Sequence, residues 1–91
     1  MTRMERPDLY VVARMLERLW HEPAPMLKTR LQTAIGTNYD LFSRYLDWMV
    51  EKGLVAFIEE DGHQKVELTG EGRESYRRLV QWINETVHGK R

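Results

Sequence analysis

The sequence predicts a small α+β domain, mostly helical, with a β-hairpin placed before a final helix. Three observations predict it. Apolar residues recur at helical spacing in three segments, a Gly-Thr-Asn turn at residues 36 to 38 separates a short helical stretch from a longer one, and Asp61-Gly62 stands between two β-prone runs. A chain of 91 residues fits one domain, 1–91, with a modest core. Association with a second copy would be a natural supplement to its stability.

The first helix is expected over residues 7 to 21. Leu9, Val12, Ala13, Leu16, Leu19 and Trp20 share a helical stripe, and Pro7 and Asp8 suit a first turn. Tyr10, Val11 and Met15 fall beside that stripe, so the apolar surface is wider than one small core requires. Residues 22 to 25, Glu-Pro-Ala-Pro, break the helix, and a short second helix follows over 29 to 35 with Leu31, Ala34 and Ile35 on one side. Gly36 admits the backbone angle of a tight turn, and Asn38 or Thr37 caps a third helix over 38 to 52, which Gly53 ends. Phe42, Leu46, Met49 and Val50 are its expected buried stripe. Asp40, Leu41, Arg44, Asp47, Trp48 and Glu51 then face outward, with Tyr39, Ser43 and Tyr45 on the borders.

Residues 54 to 69 are expected to form a two-stranded ribbon, because Asp-Gly supplies the two positive φ angles of a tight hairpin turn. Thr69 suits the cap of a last helix over 70 to 87, whose stripe is Tyr76, Leu79, Val80, Ile83 and Val87. Residues 88–91 are expected to fray.

Composition removes several function classes. Fourteen bases balance fourteen acids, so no global charge draws the chain to nucleic acid or to an anionic membrane, and any basic surface must be local. The absence of cysteine excludes disulfides, thiolate metal sites and a cysteine nucleophile. His21, His63 and His88 have no companions at ligand spacing, so no metal is expected. No cofactor motif, isolated carboxylate pair or activated serine points to an enzyme. The charged start of the chain is followed by only five apolar residues, Leu9 to Ala13, too few for a signal sequence or membrane span, and a cytoplasmic protein is expected.

A short helix, a tight turn, a longer helix and then a hairpin is the winged helix-turn-helix order, in which the longer helix enters the major groove of DNA. Tyr45-Leu46-Asp47-Trp48-Met49-Val50-Glu51-Lys52-Gly53-Leu54-Val55, followed by Val66-Glu67-Leu68-Thr69-Gly70-Glu71-Gly72-Arg73, resembles the small archaeal winged-helix transcriptional regulators over roughly residues 9 to 87. That resemblance implies sequence-specific binding of double-stranded DNA, and it places Gly72 at a helix start beneath the hairpin.

On that reading the first two turns of the third helix face base edges. Arg44 suits guanine, Asn38 adenine or phosphate, Leu41 a thymine methyl, and Ser43 or Thr37 phosphate oxygens. Tyr39 belongs to the same face, and Lys28, Thr29 and Arg30 could hold the backbone beside it. Arg44 has the alternative of a surface ion pair with Asp40 or Asp47. Residues 28 to 44 carry three bases against one acid, whereas 45 to 67 carry six acids against two bases, so the reading end is positive and the hairpin side negative. Tyr10, Val11, Met15, Leu79, Trp82 and Ile83 are the expected homodimer interface. The alternative is a winged-helix adaptor that binds protein through Leu41, Tyr45 and Trp48 or through the acidic hairpin, Glu59-Glu60-Asp61. A regulator with a ligand pocket between the terminal helices is a more distant reading.

Overall fold

The computed structural model describes residues 7–87, and the expected fraying of 88–91 lies outside them. Helix α1, Leu9–Trp20, is followed by a two-residue strand β1, Met26–Leu27, then by α2, Lys28–Ile35, and α3, Tyr39–Glu51. Strands β2, Val55–Glu60, and β3, His63–Leu68, lead to α4, Gly70–Trp82, which continues as a wider π-helical turn, Ile83–Val87. This is a winged-helix fold of four helices and a three-stranded antiparallel sheet in the order β1-β3-β2.

Each helix start follows from its cap. The Asp8 carboxylate accepts from the Tyr10 N–H at 2.9 Å, and the Asp8 N–H in turn donates to the Tyr45 hydroxyl at 2.8 Å, which ties the beginning of α1 to α3. Asn38 accepts from the Leu41 N–H at 2.8 Å. The Thr69 hydroxyl accepts from the Gly72 N–H at 3.0 Å and donates to the carbonyl of Gly53. Gly36, at φ 82°, closes α2 in the left-handed region, and the Arg14 guanidinium donates to the Ile35 carbonyl at 3.0 Å, satisfying the helix's last acceptors from α1.

The hairpin turn carries positive φ at both Asp61 (54°) and Gly62 (77°), the conformation that matches the twist of the two strands. Glu60 faces His63 across it, and the register runs back through Phe57–Val66 to Val55–Leu68. The ribbon gains a third strand that the sequence reading does not contain: Met26 and Leu27 pair with Val66 and Lys65. Two residues after a proline carry no alternation, so the pattern had no means of announcing them.

The core joins Val12, Met15, Leu16 and Leu19 of α1 to Leu31 and Ile35, to Phe42, Tyr45, Leu46 and Met49, and to Met26, Val55, Val66 and Leu68 of the sheet. Two stripes differ from expectation. On α1, Leu9 is 71% exposed while Met15 is fully buried, because the helix is apolar over more than half its circumference and packing chooses Met15 as the flank. On α3, Val50 is exposed and Tyr45 buried, the ring inside and its hydroxyl held by Asp8. Gly72 is the one buried residue of α4: a Cβ there would stand 2.0 Å from the Leu54 carbonyl oxygen, so only glycine lets the helix start pass beneath the hairpin. The expected α4 stripe is half-covered or exposed, with Tyr76 against Trp20, ring centroids 5.1 Å apart, and Val87 open to solvent.

Candidate nucleic-acid interface

The start of α2, the first turns of α3 and the open face of the wing meet at Lys28. Its ammonium donates to the Tyr39 hydroxyl at 3.1 Å and to Gln64 Oε1 at 3.5 Å, and it lies 5.3 Å and 5.7 Å from the ring centroids of Tyr39 and Phe57. Sequence position explains the convergence. Lys28 follows the strand that pairs with β3, Gln64 stands on β3, Phe57 on β2 and Tyr39 at the first position of α3. The Tyr39 phenol is held below the ordinary tyrosine pKa, first by the Ser43 hydroxyl and then by Lys28.

The residues expected to meet DNA therefore divide. Thr29, Arg30, Asn38, Tyr39 and Arg44 are exposed; Lys28, Leu41 and Ser43 are half-buried. Asn38 has already used its side-chain oxygen as a helix cap, which leaves its amide group as a donor. Ser43 serves Tyr39. Thr37 is a correction: its hydroxyl is buried and has no hydrogen-bond partner, while its carbonyl accepts from Gln32 Nε2 at 3.3 Å, so its side chain is not offered to a phosphate. Arg44 forms no ion pair with Asp40 or Asp47, although the helical spacing permits both. A surface depression of about 580 Å³ is lined by Asn38, Tyr39, Asp40, Leu41 and Arg44.

Apart from Asp40, which lines the depression, the acids are on the periphery of this face. Asp47 and Glu51 lie in the later turns of α3, and Glu59, Glu60 and Asp61 occupy the exposed hairpin end, where Glu60 pairs with Lys65 at 2.9 Å. Trp48 is half-buried against the core with the Lys52 ammonium 5.8 Å from its ring centroid, and Tyr45 is inside the core. The adaptor surface proposed for Leu41, Tyr45 and Trp48 thus loses its middle member.

Of the expected dimer residues, Tyr10 and Trp82 are 69% and 57% exposed, and Val11, Leu79 and Ile83 are half-buried. Met15 is a correction, since a fully buried side chain has no surface to offer. Leu9 and Val87 are exposed on the same terminal elements and were not among the candidates. An open depression of about 630 Å³ between α1 and α4 is lined by Trp20, Tyr76 and Val80 among others. Among the described residues no group of His, Asp or Glu side chains is arranged to hold a metal, and no helix is long and apolar enough to cross a membrane.

The chain matches the winged helix-turn-helix family over residues 5–86. No curated protein matches it in sequence. Among solved structures, it is similar to a homodimeric winged helix-turn-helix DNA-binding domain of Mycobacterium bovis, a possible ArsR-family transcriptional regulator. The TM-score is 0.77 at 20% identity, over 89% of this chain and 74% of that one. A mutant MarR of E. coli complexed with operator DNA gives 0.74 at 20%, covering 84% of this chain and 56% of the other. A MarR family regulator of Silicibacter pomeroyi gives 0.72 at 24%, covering 82% and 51%. The chain spans between about half and three quarters of the length of these neighbours.

Proposed function

The chain belongs to the winged helix-turn-helix family, and from that premise we propose that it is a sequence-specific double-stranded DNA-binding protein, a dimeric regulator of transcription. The observation that carries the proposal is the exposed Arg44, unpaired on the outward face of α3, beside Asn38 and Tyr39 and with Arg30 exposed on the preceding helix. These are the positions from which a recognition helix reaches base edges and a neighbouring helix reaches phosphates. The net charge of the chain is zero, so local placement of bases, rather than overall attraction, must supply the affinity.

Dimerisation belongs to the same reading. Leu9, Tyr10, Trp82 and Val87 leave apolar side chains open on the two terminal helices, the kind of surface that marks an interaction site when it is contiguous. A two-fold contact through α1 and α4, using Tyr10, Val11, Leu79, Trp82 and Ile83, would cover it and set two α3 helices for a palindromic operator. The homodimeric state of the Mycobacterium bovis domain supports dimerisation as such. The local likeness of residues 45–55 and 66–73 to small archaeal regulators, and a cytoplasmic location, fit the same proposal.

Selection of bound duplexes from a random pool tests it. Enrichment of a two-fold symmetric motif is the expected result; an unenriched pool would remove sequence-specific binding and return attention to a protein partner for Trp48 or the acidic hairpin.

A further inference from the structure

We propose that Asp40 and Arg44 act as a pair that makes each operator half-site contain a cytosine and a guanine within about two base steps, Asp40 accepting from the cytosine amino group and Arg44 donating to guanine. The inference rests on the DNA-binding reading above and adds to it the bases that are read.

Elimination on the reading face leads to these two side chains. The Asn38 side-chain oxygen caps α3 and leaves only its amide group as a donor, the Tyr39 hydroxyl accepts from Lys28, the Thr37 hydroxyl is buried, and Leu41 packs on the core. Asp40 and Arg44 remain exposed in the first two turns, and neither makes a hydrogen bond or ion pair with another described residue. Both line the depression at the start of α3. Four residues apart, they stand on one side of the helix and are offset along it by about 6 Å, close to two base-pair rises of about 3.4 Å.

An acid at this position has a direct physical consequence. It lies where the phosphates raise a strong negative potential, so it opposes binding to DNA of arbitrary sequence unless it accepts a hydrogen bond there. The major groove offers two amino donors, cytosine N4 and adenine N6. The adenine donor is flanked by acceptors on both sides, its own N7 and the O4 of the paired thymine, which repel the second oxygen of a carboxylate, whereas the cytosine donor has an acceptor, guanine O6, on one side only. Asp40 therefore selects cytosine. The Arg44 guanidinium matches the paired O6 and N7 acceptors of guanine. The sequence reading placed Asp40 on the outward face and offered it to Arg44 as an ion-pair partner; that the pair is not formed, visible only in the fold, is what leaves it free for a base.

The test uses the whole chain and the duplex it selects, with every single base-pair variant measured in competition against Asp40→Ala, Asp40→Asn and Arg44→Ala. The wild-type protein should select cytosine and guanine within about two base steps. Asp40→Ala should reduce discrimination at the cytosine by about tenfold and at the same time raise affinity for random DNA. Asp40→Asn, which gains a donor next to its acceptor, should move the preference from cytosine toward adenine, a switch that damage to folding cannot mimic. A selected motif without this pair of bases, or an Asp40→Asn variant with the wild-type preference at every position, would overturn the proposal while leaving DNA binding intact. A wild-type protein that shows no salt-sensitive DNA binding at all would instead sink the DNA reading, and this inference with it.

Discussion

Arg44 and Gly72 show how differently single residues carry the fold and the site. Arg44 touches no other described charge, so its removal should leave stability almost unchanged; DNA affinity should fall about 5- to 150-fold, the range for a lost base contact of about 1–3 kcal/mol. Binding titrations with Arg44→Ala, accompanied by a melting curve, separate the two effects. An unchanged affinity would take Arg44 out of the interface. Gly72 is the converse case. The Leu54 carbonyl oxygen would lie 2.0 Å from an added Cβ, and rigid backbone cannot retreat as a flexible side chain would, so Gly72→Ala should cost about 1–3 kcal/mol or more by overpacking. Urea denaturation measures it, and a loss below about 0.5 kcal/mol, the scale of an ordinary surface substitution, would mean that the helix start can shift away.

Residue identity could be read from sequence only where one local rule governs it. The caps Asn38 and Thr69 obey such a rule, as does the Asp61-Gly62 turn, whereas Asp8, expected in the first turn, is the cap of a helix that starts at Leu9. Whether Tyr45 or Val50 is buried obeys none: Val50 was expected in the stripe and Tyr45 on its border, and the structure reverses them, with Asp8 reaching across 37 positions to the Tyr45 hydroxyl. Thr37 and Met15 were misplaced for the same reason: chemistry named them as suitable, while packing turned one hydroxyl inward and closed the core over the other side chain.

Between elements, the Lys28 junction sets the wing against the recognition helix. Its ammonium joins α2 to the first residue of α3 through Tyr39 and to β3 through Gln64, with the Phe57 ring beside it. Lys28→Met should therefore loosen the wing, seen as faster amide exchange in β2 and β3, and should raise the Tyr39 phenol pKa toward its ordinary value as one cation leaves its surroundings. The sign is definite. Lys28 favours the phenolate, so the wild-type phenol must lose its proton at lower pH than the variant's. Spectrophotometric titration of the tyrosines, with Tyr39→Phe to identify the signal, checks this; coincident titration curves would mean that the contact does not persist in solution. Such a junction is invisible to pattern reading, because 36 positions separate Lys28 from Gln64 and the register of a two-residue strand brings them together. The hairpin itself was legible because its turn residues and both strands are contiguous.

At the scale of the whole molecule, the terminal helices present apolar surface that the core does not use. Trp82→Glu places a charge in the proposed two-fold contact and should shift the protein toward monomer in sedimentation equilibrium without loss of helix content. Its affinity for a palindromic duplex should fall more than its affinity for a single half-site, because the two reading heads are no longer joined. A monomeric wild-type protein, or a dimer indifferent to the substitution, would move the interface elsewhere. Zero net charge also gives the DNA reading an unusual profile: salt-dependent attraction has to come from a few local contacts around Lys28, Arg30 and Arg44, set against acids at the hairpin end.

The most direct measurement is a fluorescence-anisotropy titration of the wild-type protein and Arg44→Ala against the duplexes selected from a random pool, at a series of salt concentrations. If the α3 face binds DNA, the wild-type protein saturates, log affinity falls linearly with log salt concentration, and the variant binds about 5- to 150-fold more weakly. Salt-insensitive binding, or binding that Arg44→Ala leaves unchanged, would contradict a reading head built on this helix.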